Sequence, residues 1–171
     1  GLGDVYKRQQ LKVARGEELK FSQEDIQWSG SSIEARLYAE DPNNDFLPET
    51  GTVANLFFSD SANIRWDIGI KKGDKVTPDF DPMLAKVISF SETREESANI
   101  LSKELKSIHL PGVITNKDFL IGCLENKSFL SGKTTSDFIE RVKPSRKLEI
   151  NQSEIEHVSA IAAMWMQQQN R

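Results

Sequence analysis

The chain has 171 residues, 37% of them hydrophobic and 28% charged, with 22 basic against 26 acidic side chains and a formal charge of −4. That length suits one domain with a sizeable core, or a domain and a tail, and crowds two. No window approaches the roughly 20 apolar residues of a membrane span, no long run of one sign offers a nucleic-acid footprint, and the single cysteine, Cys123, excludes an internal disulfide.

GLGDVYKRQ, residues 1–9, has no period that joins it to the segment beginning at Gln10, and we expect it to be foreign sequence; Leu11, Val13 and Ala14 suit the end of a helix before Gly16. In IEARLYAEDP, side chains alternate across a strand, so Ile33, Ala35, Leu37 and Ala39 share one face and Glu34, Arg36 and Tyr38 the other. Arg36 thus sits in mid-strand, either as a solvated cross-strand partner of an acid or as an anion-binding guanidinium. Asp41-Pro42-Asn43-Asn44 stops the strand. A short apolar run from Val53 to Phe58 suggests more β structure, as does a second alternation placing Ala62, Ile64, Trp66, Ile68 and Ile70 on one face. Met83 to Phe90, apolar on both faces apart from Lys86 and Ser89, reads as a central strand.

The period then changes. Thr93 and Glu96 form a capping box before Ala98, Leu101, Leu105 and Ile108, an amphipathic helix broken by Pro111-Gly112. Thr115, with Asp118 three on, opens a second helix in which Phe119 pairs with Cys123 and Leu120 with Leu124. After the Ser131-Gly132-Lys133 turn a polar stretch runs through Pro144. A last helix is expected from Ser153 and Glu156, with Ile155, Val158, Ile161 and Trp165 on one stripe that needs something to dock on. Strands followed by helices, without alternating βαβ units, give an α+β fold with an antiparallel β meander.

Familiar chemical motifs do not appear. SGKTT at 131–135 lacks the glycine of a phosphate-binding loop, because position 127 is Lys. His109 and His157 lie far from any acid cluster with ligand spacing, so no metal site or histidine-based nucleophile is expected. The acid pairs Glu40-Asp41 and Asp79-Asp81 suit turns as well as general-base work. Cys123, in an apolar stretch, reads as a small buried hydrophobe, and the sequons at Asn126 and Asn151 as chance matches.

Four segments change that picture: EARLYAEDPNNDFLPETGTV at 34–53, IRWDIGIKKGDKVTPDFDPMLAKVI at 64–88, ETREES at 92–97 and GVITNKDFLIGCLENKSFLSGKTTSDFIE at 112–140. Together they resemble the C-terminal domain of biotin carboxylase, as found in the biotin-bearing subunit of acyl-CoA carboxylases. The resemblance runs from about residue 10 to 140 and implies that domain there, with 1–9 as a leader outside it. The helix SEIEHVSAIAAMWMQQQNR is similar to the start of the linker in propionyl-CoA-type subunits, which implies that 141–171 begin the domain joining carboxylase to carboxyltransferase.

The resemblance implies ATP-dependent activation of bicarbonate and transfer of a CO₂ equivalent to biotin. ATP and Mg²⁺ or Mn²⁺ would be bound mainly by an ATP-grasp domain whose motifs are not in this sequence, so the polypeptide as written is expected to be inactive alone. Biotin would arrive on a carrier domain, and a carboxyltransferase subunit would choose the acyl group. Arg36 falls on the family arginine that meets the ureido oxygen of biotin, making it the catalytic candidate. Asp81 matches a biotin-pocket position and could orient Arg36 or contact biotin. Arg65 matches a region near the contact between two carboxylase domains. Lys86 has no family role, and a buried stem with its ammonium at the sheet margin would suffice. An oligomer in the cytoplasm or mitochondrial matrix is implied, with neither nucleic acid nor membrane as partner. Pyruvate, acetyl-CoA and urea carboxylases share these strings, and a non-catalytic binding module of the same fold is the alternative from another class.

Overall fold

The computed structural model of the chain describes residues 2–58, 61–147, 155–156 and 159–161. Helix α1 spans Leu2–Ala14, followed by a 3-10 turn at Gln23–Asp25. The strands are β1 (Ser31–Tyr38), β2 (Glu40–Asp41), β3 (Leu47–Pro48), β4 (Gly51–Thr52), β5 (Ile64–Ile68), β6 (Lys75–Val76) and β7 (Met83–Ser91). Helices α2 (Arg94–Ser107), α3 (Lys117–Leu124), α4 (Lys127–Leu130) and α5 (Phe138–Val142) complete the order.

β7 lies between β1 and β5 in an antiparallel three-stranded sheet; β2 pairs with β3 and β4 with β6 in two short ribbons. The expected α+β architecture, the antiparallel pairing and the central place of Met83 to Phe90 are therefore as found, but the order is not the expected meander, because β7 returns between β1 and β5. One face of the sheet buries Ile33, Ala35, Leu37, Ala85 and Val87 against Ala98, Leu101 and Leu105 of α2, with Ile121 and Leu124 of α3 closing the cluster. Burial of each fully covered leucine contributes about 1.5–3 kcal/mol relative to exposure. Ser89 is the polar exception on that face: its hydroxyl donates to the Ser97 carbonyl at 2.9 Å and lies 2.7 Å from the Ser97 hydroxyl, tying β7 to α2.

Local chemistry sets the boundaries. Thr93 caps α2 by accepting from the Glu96 N–H at 3.2 Å, while the Glu96 carboxylate takes the Ser91 hydroxyl, so the expected box is half formed. Gly51 and Gly112 meet back to back, since a Cβ on Gly51 would lie 2.1 Å from the Gly112 carbonyl oxygen. Gly112 also has φ +99°, so this crossing of β4 over the turn before α3 suits glycine on both counts.

Several expectations differ from the structure. Val53 to Phe58 is not a strand; only a bridge between Phe57 and His109 forms there, and Val53 is buried by the adjoining turn. The outer face of β7 is not sealed, because Phe90 stays 53% exposed and Ile88 partly covered. On β5, an edge strand, Ile64 and Trp66 pack on the core but Ile68 does not. The second helix is preceded by Asn116 rather than Thr115, and α5 forms inside the stretch read as polar coil. α1 begins well before Leu11, yet every described side chain from Lys7 to Gly30 is exposed. The helix ends at Ala14, as expected, and because its described side chains are all exposed there is no apolar stripe from which periodicity places its start. Of the last expected helix, 155–156 and 159–161 are helical and exposed, while Ser153, His157, Val158 and Trp165 lie outside the described residues.

Candidate functional site

The outer face of the sheet is built from the alternate residues of the same strands. Pairing register places Arg36 of β1 beside Lys86 of β7, and Lys86 beside Asp67 of β5; the next row is Glu34, Ile88 and Arg65. Two acids and three cations thus share one sheet face. Arg36 stands largely in solvent: its side chain is 59% exposed, and its Nε donates to Glu34 Oε1 at 2.9 Å. That bond, with a smaller contribution from Tyr38, raises the arginine's proton affinity above its ordinary value. The guanidinium is therefore a fixed cation, aimed by a carboxylate two residues away on its own strand and still open to a ligand.

Beside it runs a groove of about 340 Å³ along the β1 edge, bordered by Arg36, Tyr38 and Glu40 and floored by Phe46, Phe119 and Phe129. Phe46 meets Phe119 edge-on at 4.8 Å between ring centres. It is held by the turn after β2, where Asp45 and Phe46 adopt φ of 49° and 57°, unusual for side chains with a Cβ. Arg146 braces that turn, donating to the Pro42 carbonyl at 2.7 Å and lying over the Phe46 ring at 5.3 Å. Cys123 borders the same groove, where burial pushes its thiol up to about 11, far from a nucleophile's range.

Asp81 sits just before β7 and accepts the Met83 N–H at 3.0 Å, the turn-closing role that acids before strands often take. Its charge also reaches Glu40, whose carboxyl is raised first by burial and second by Asp81. The carboxylate that orients Arg36 is Glu34, a partner the alternation makes legible but that sequence reasoning passed over. Arg65 forms a two-point pair with Asp67, at 3.1 and 2.8 Å, on the exposed face of β5. This bond, more than Lys86 nearby, holds Asp67 below the usual carboxylate range. Arg36 and Arg65 lie on the same face but on opposite strands of the three, and Asp81 lies at the end of the central one. Lys86 is partly buried in the middle of the central strand, between Arg36 and Asp67, rather than at the sheet margin.

The family profile of the biotin carboxylase C-terminal domain matches residues 34–141. Biotin carboxylase 2 of Bacillus subtilis is 40% identical over 133 residues, covering 78% of this chain and 30% of that protein. The mitochondrial methylcrotonoyl-CoA carboxylase subunit alpha of Dictyostelium discoideum is 39% identical over 131 residues, covering 76% of this chain and 19% of that one. Among solved structures, the biotin carboxylase domain dimer of Hydrogenobacter thermophilus 2-oxoglutarate carboxylase, in complex with MgADP, ADP and bicarbonate, superposes with a TM-score of 0.77 at 33% identity, over 82% of this chain and 31% of that one. The chain thus spans less than a third of the length of these relatives. A profile match over most of the chain, with a TM-score of 0.77 to a solved biotin carboxylase domain, makes this protein a member of the biotin carboxylase C-terminal domain family.

Proposed function

We propose that this domain closes the biotin side of a biotin carboxylase active site within an acyl-CoA carboxylase subunit, and that Arg36 is its catalytic residue. The observation that carries the reading is the guanidinium held by Glu34 at 2.9 Å yet 59% exposed, because a preformed and accessible cation is what a developing oxyanion needs. Biotin supplies a ureido group whose oxygen gains negative charge as its nitrogen loses a proton. Arg36 donates to that oxygen, and its fork keeps direction where a lysine would not. The apolar groove floor suits the hydrocarbon part of such a ligand. Asp81 and Glu40 set the acidic end of the site, with Asp81 supporting the pocket through its hold on the start of β7.

In this reading Mg²⁺ or Mn²⁺ and ATP take their ligands mainly from an ATP-grasp domain, as the family resemblance implies. On the same reading, residues 10–140 form the biotin carboxylase C-terminal domain, and 141–171 are the linker and start of the domain that joins carboxylase to carboxyltransferase. Arg65, fixed by Asp67 on an exposed edge strand, serves a contact between carboxylase domains. The biotin carboxyl carrier domain and the carboxyltransferase subunit are the remaining partners, in the cytoplasm or the mitochondrial matrix. No helix among the described residues is long and apolar enough to cross a membrane.

The test is ATP- and bicarbonate-dependent carboxylation of biotin by the complete subunit carrying Arg36→Ala or Arg36→Lys. Arg36→Ala is expected to lower kcat by about 10²–10³-fold, the cost of one lost oxyanion donor, with Arg36→Lys recovering only part. Carboxylation at the parental rate would instead favour the second reading, a non-catalytic module in which Arg36 serves only its pair with Glu34.

A further inference from the structure

β1 is an edge strand among the described residues, and at Arg36 its free edge is closed by one side chain. The Asn116 amide nitrogen donates to the Arg36 carbonyl at 3.2 Å, and its amide oxygen accepts the Tyr38 N–H at 2.9 Å. The Asn116 backbone N–H adds a third bond, to the Tyr38 carbonyl at 3.1 Å. Arg36 and Tyr38 direct these groups away from β7, where a fourth strand would otherwise pair. A single residue nearly 80 positions away in sequence therefore does the work of a neighbouring strand on both sides of Leu37.

Asn116 gives up its usual task to do so. It occupies the N-cap of α3, where asparagine normally turns back to accept a helix N–H, but it makes no side-chain cap. The Lys117 N–H donates to Thr115 Oγ1 instead, at a long 3.4 Å. Asn116 is also only 6% exposed, so loss of these bonds would leave buried polar groups unpaired.

We propose that Asn116 is a positioning residue: it fixes the height and twist of β1 at Arg36, and so the direction in which the guanidinium meets the ureido oxygen of biotin. The inference rests on the assignment of Arg36 above. It also explains how an arginine with 59% of its side chain exposed keeps a defined aim, since its backbone is held on one edge by β7 and on the other by Asn116.

The experiment is a double-mutant cycle in the complete subunit: Asn116→Ala, Arg36→Ala and both together. Biotin carboxylation is read as kcat and KM for biotin, and hydrogen exchange is followed in peptides covering 33–40. Asn116→Ala is expected to lower kcat/KM for biotin by about 10–100-fold, as small misplacements of a reacting group do. It should speed exchange in those peptides and leave the double variant no slower than Arg36→Ala alone. Losses that multiply in the double variant, or an Asn116→Ala enzyme with parental turnover while Arg36→Ala is impaired, overturn the positioning role and leave the Arg36 assignment standing. Parental turnover in Arg36→Ala removes that assignment and the positioning role with it. Should Asn116→Ala fail to fold, Asn116→Asp keeps the acceptor for the Tyr38 N–H, loses the donor to the Arg36 carbonyl, and closes the same cycle with the same expectations.

Discussion

On its inner face β1 presents Ile33, Ala35 and Leu37, exposed by 8%, 5% and 1%, to α2 and the helices beyond. One residue along, on the outer face, Glu34 and Arg36 keep 39% and 59% of their side chains in solvent. The same eight residues thus serve two demands that share a backbone but not a chemistry. Water exclusion fixes the inner face, where any change of volume is felt. The outer face is fixed by hydrogen bonds, a carboxylate on one side of Arg36 and the strand edge clamped beneath it, and we expect it to tolerate loss of its charges without losing its fold. Under the proposed role of Arg36, stability and ligand chemistry are separable by a shift of one position along β1.

Substitutions on the two faces sharpen this contrast. Leu37→Ala removes a fully buried side chain from the centre of the core and is expected to cost about 2–5 kcal/mol in equilibrium denaturation. Ser89→Ala, which leaves the Ser97 hydroxyl without its 2.7 Å partner between β7 and α2, should cost about 1–3 kcal/mol in the same measurement.

The smallest effect lies at the far side of α2. There Glu125 accepts from Lys106 at 2.6 Å and Ser102 at 2.7 Å, and the lysine's hydrogen bond chiefly lowers its pKa. A carboxylate depressed in the folded state adds stability above its unfolded pKa of about 4.3 and loses it as pH falls through the lower folded value. Because both partners are nearly half exposed, screening limits the gain to about 1 kcal/mol or less. The parent should therefore lose slightly more stability than Glu125→Gln as the pH is taken from 7 to below 4, measured by denaturant titration at each pH.

The strand carrying Arg36 was legible because its period of two is undisturbed, and α2 because its apolar residues recur at helical spacing beside a capping threonine. What escaped depends on distance in sequence or on the absence of packing. Asn116 goes unremarked in the sequence, where Thr115 is the residue expected to open the helix; only the fold sets it against β1. Phe46 follows a polar turn with no period to place it; only the fold shows its ring against Phe119 and its turn braced by Arg146, 104 positions from Pro42. Val53 to Phe58 has strand composition, but its backbone is divided between the β6 turn and the turn before α3, as the bonds to Asp74 and Pro111 record. Helix α5 is five residues long, too short for periodicity to mark.

The most direct measurement sets the two faces of β1 side by side: melting temperature and biotin carboxylation of the complete subunit, for Arg36→Ala and for Leu37→Ala. Our account predicts that Arg36→Ala melts with the parent and loses turnover, whereas Leu37→Ala melts lower. An Arg36→Ala protein that melts as low as Leu37→Ala, or that carboxylates biotin at the parental rate, would contradict it.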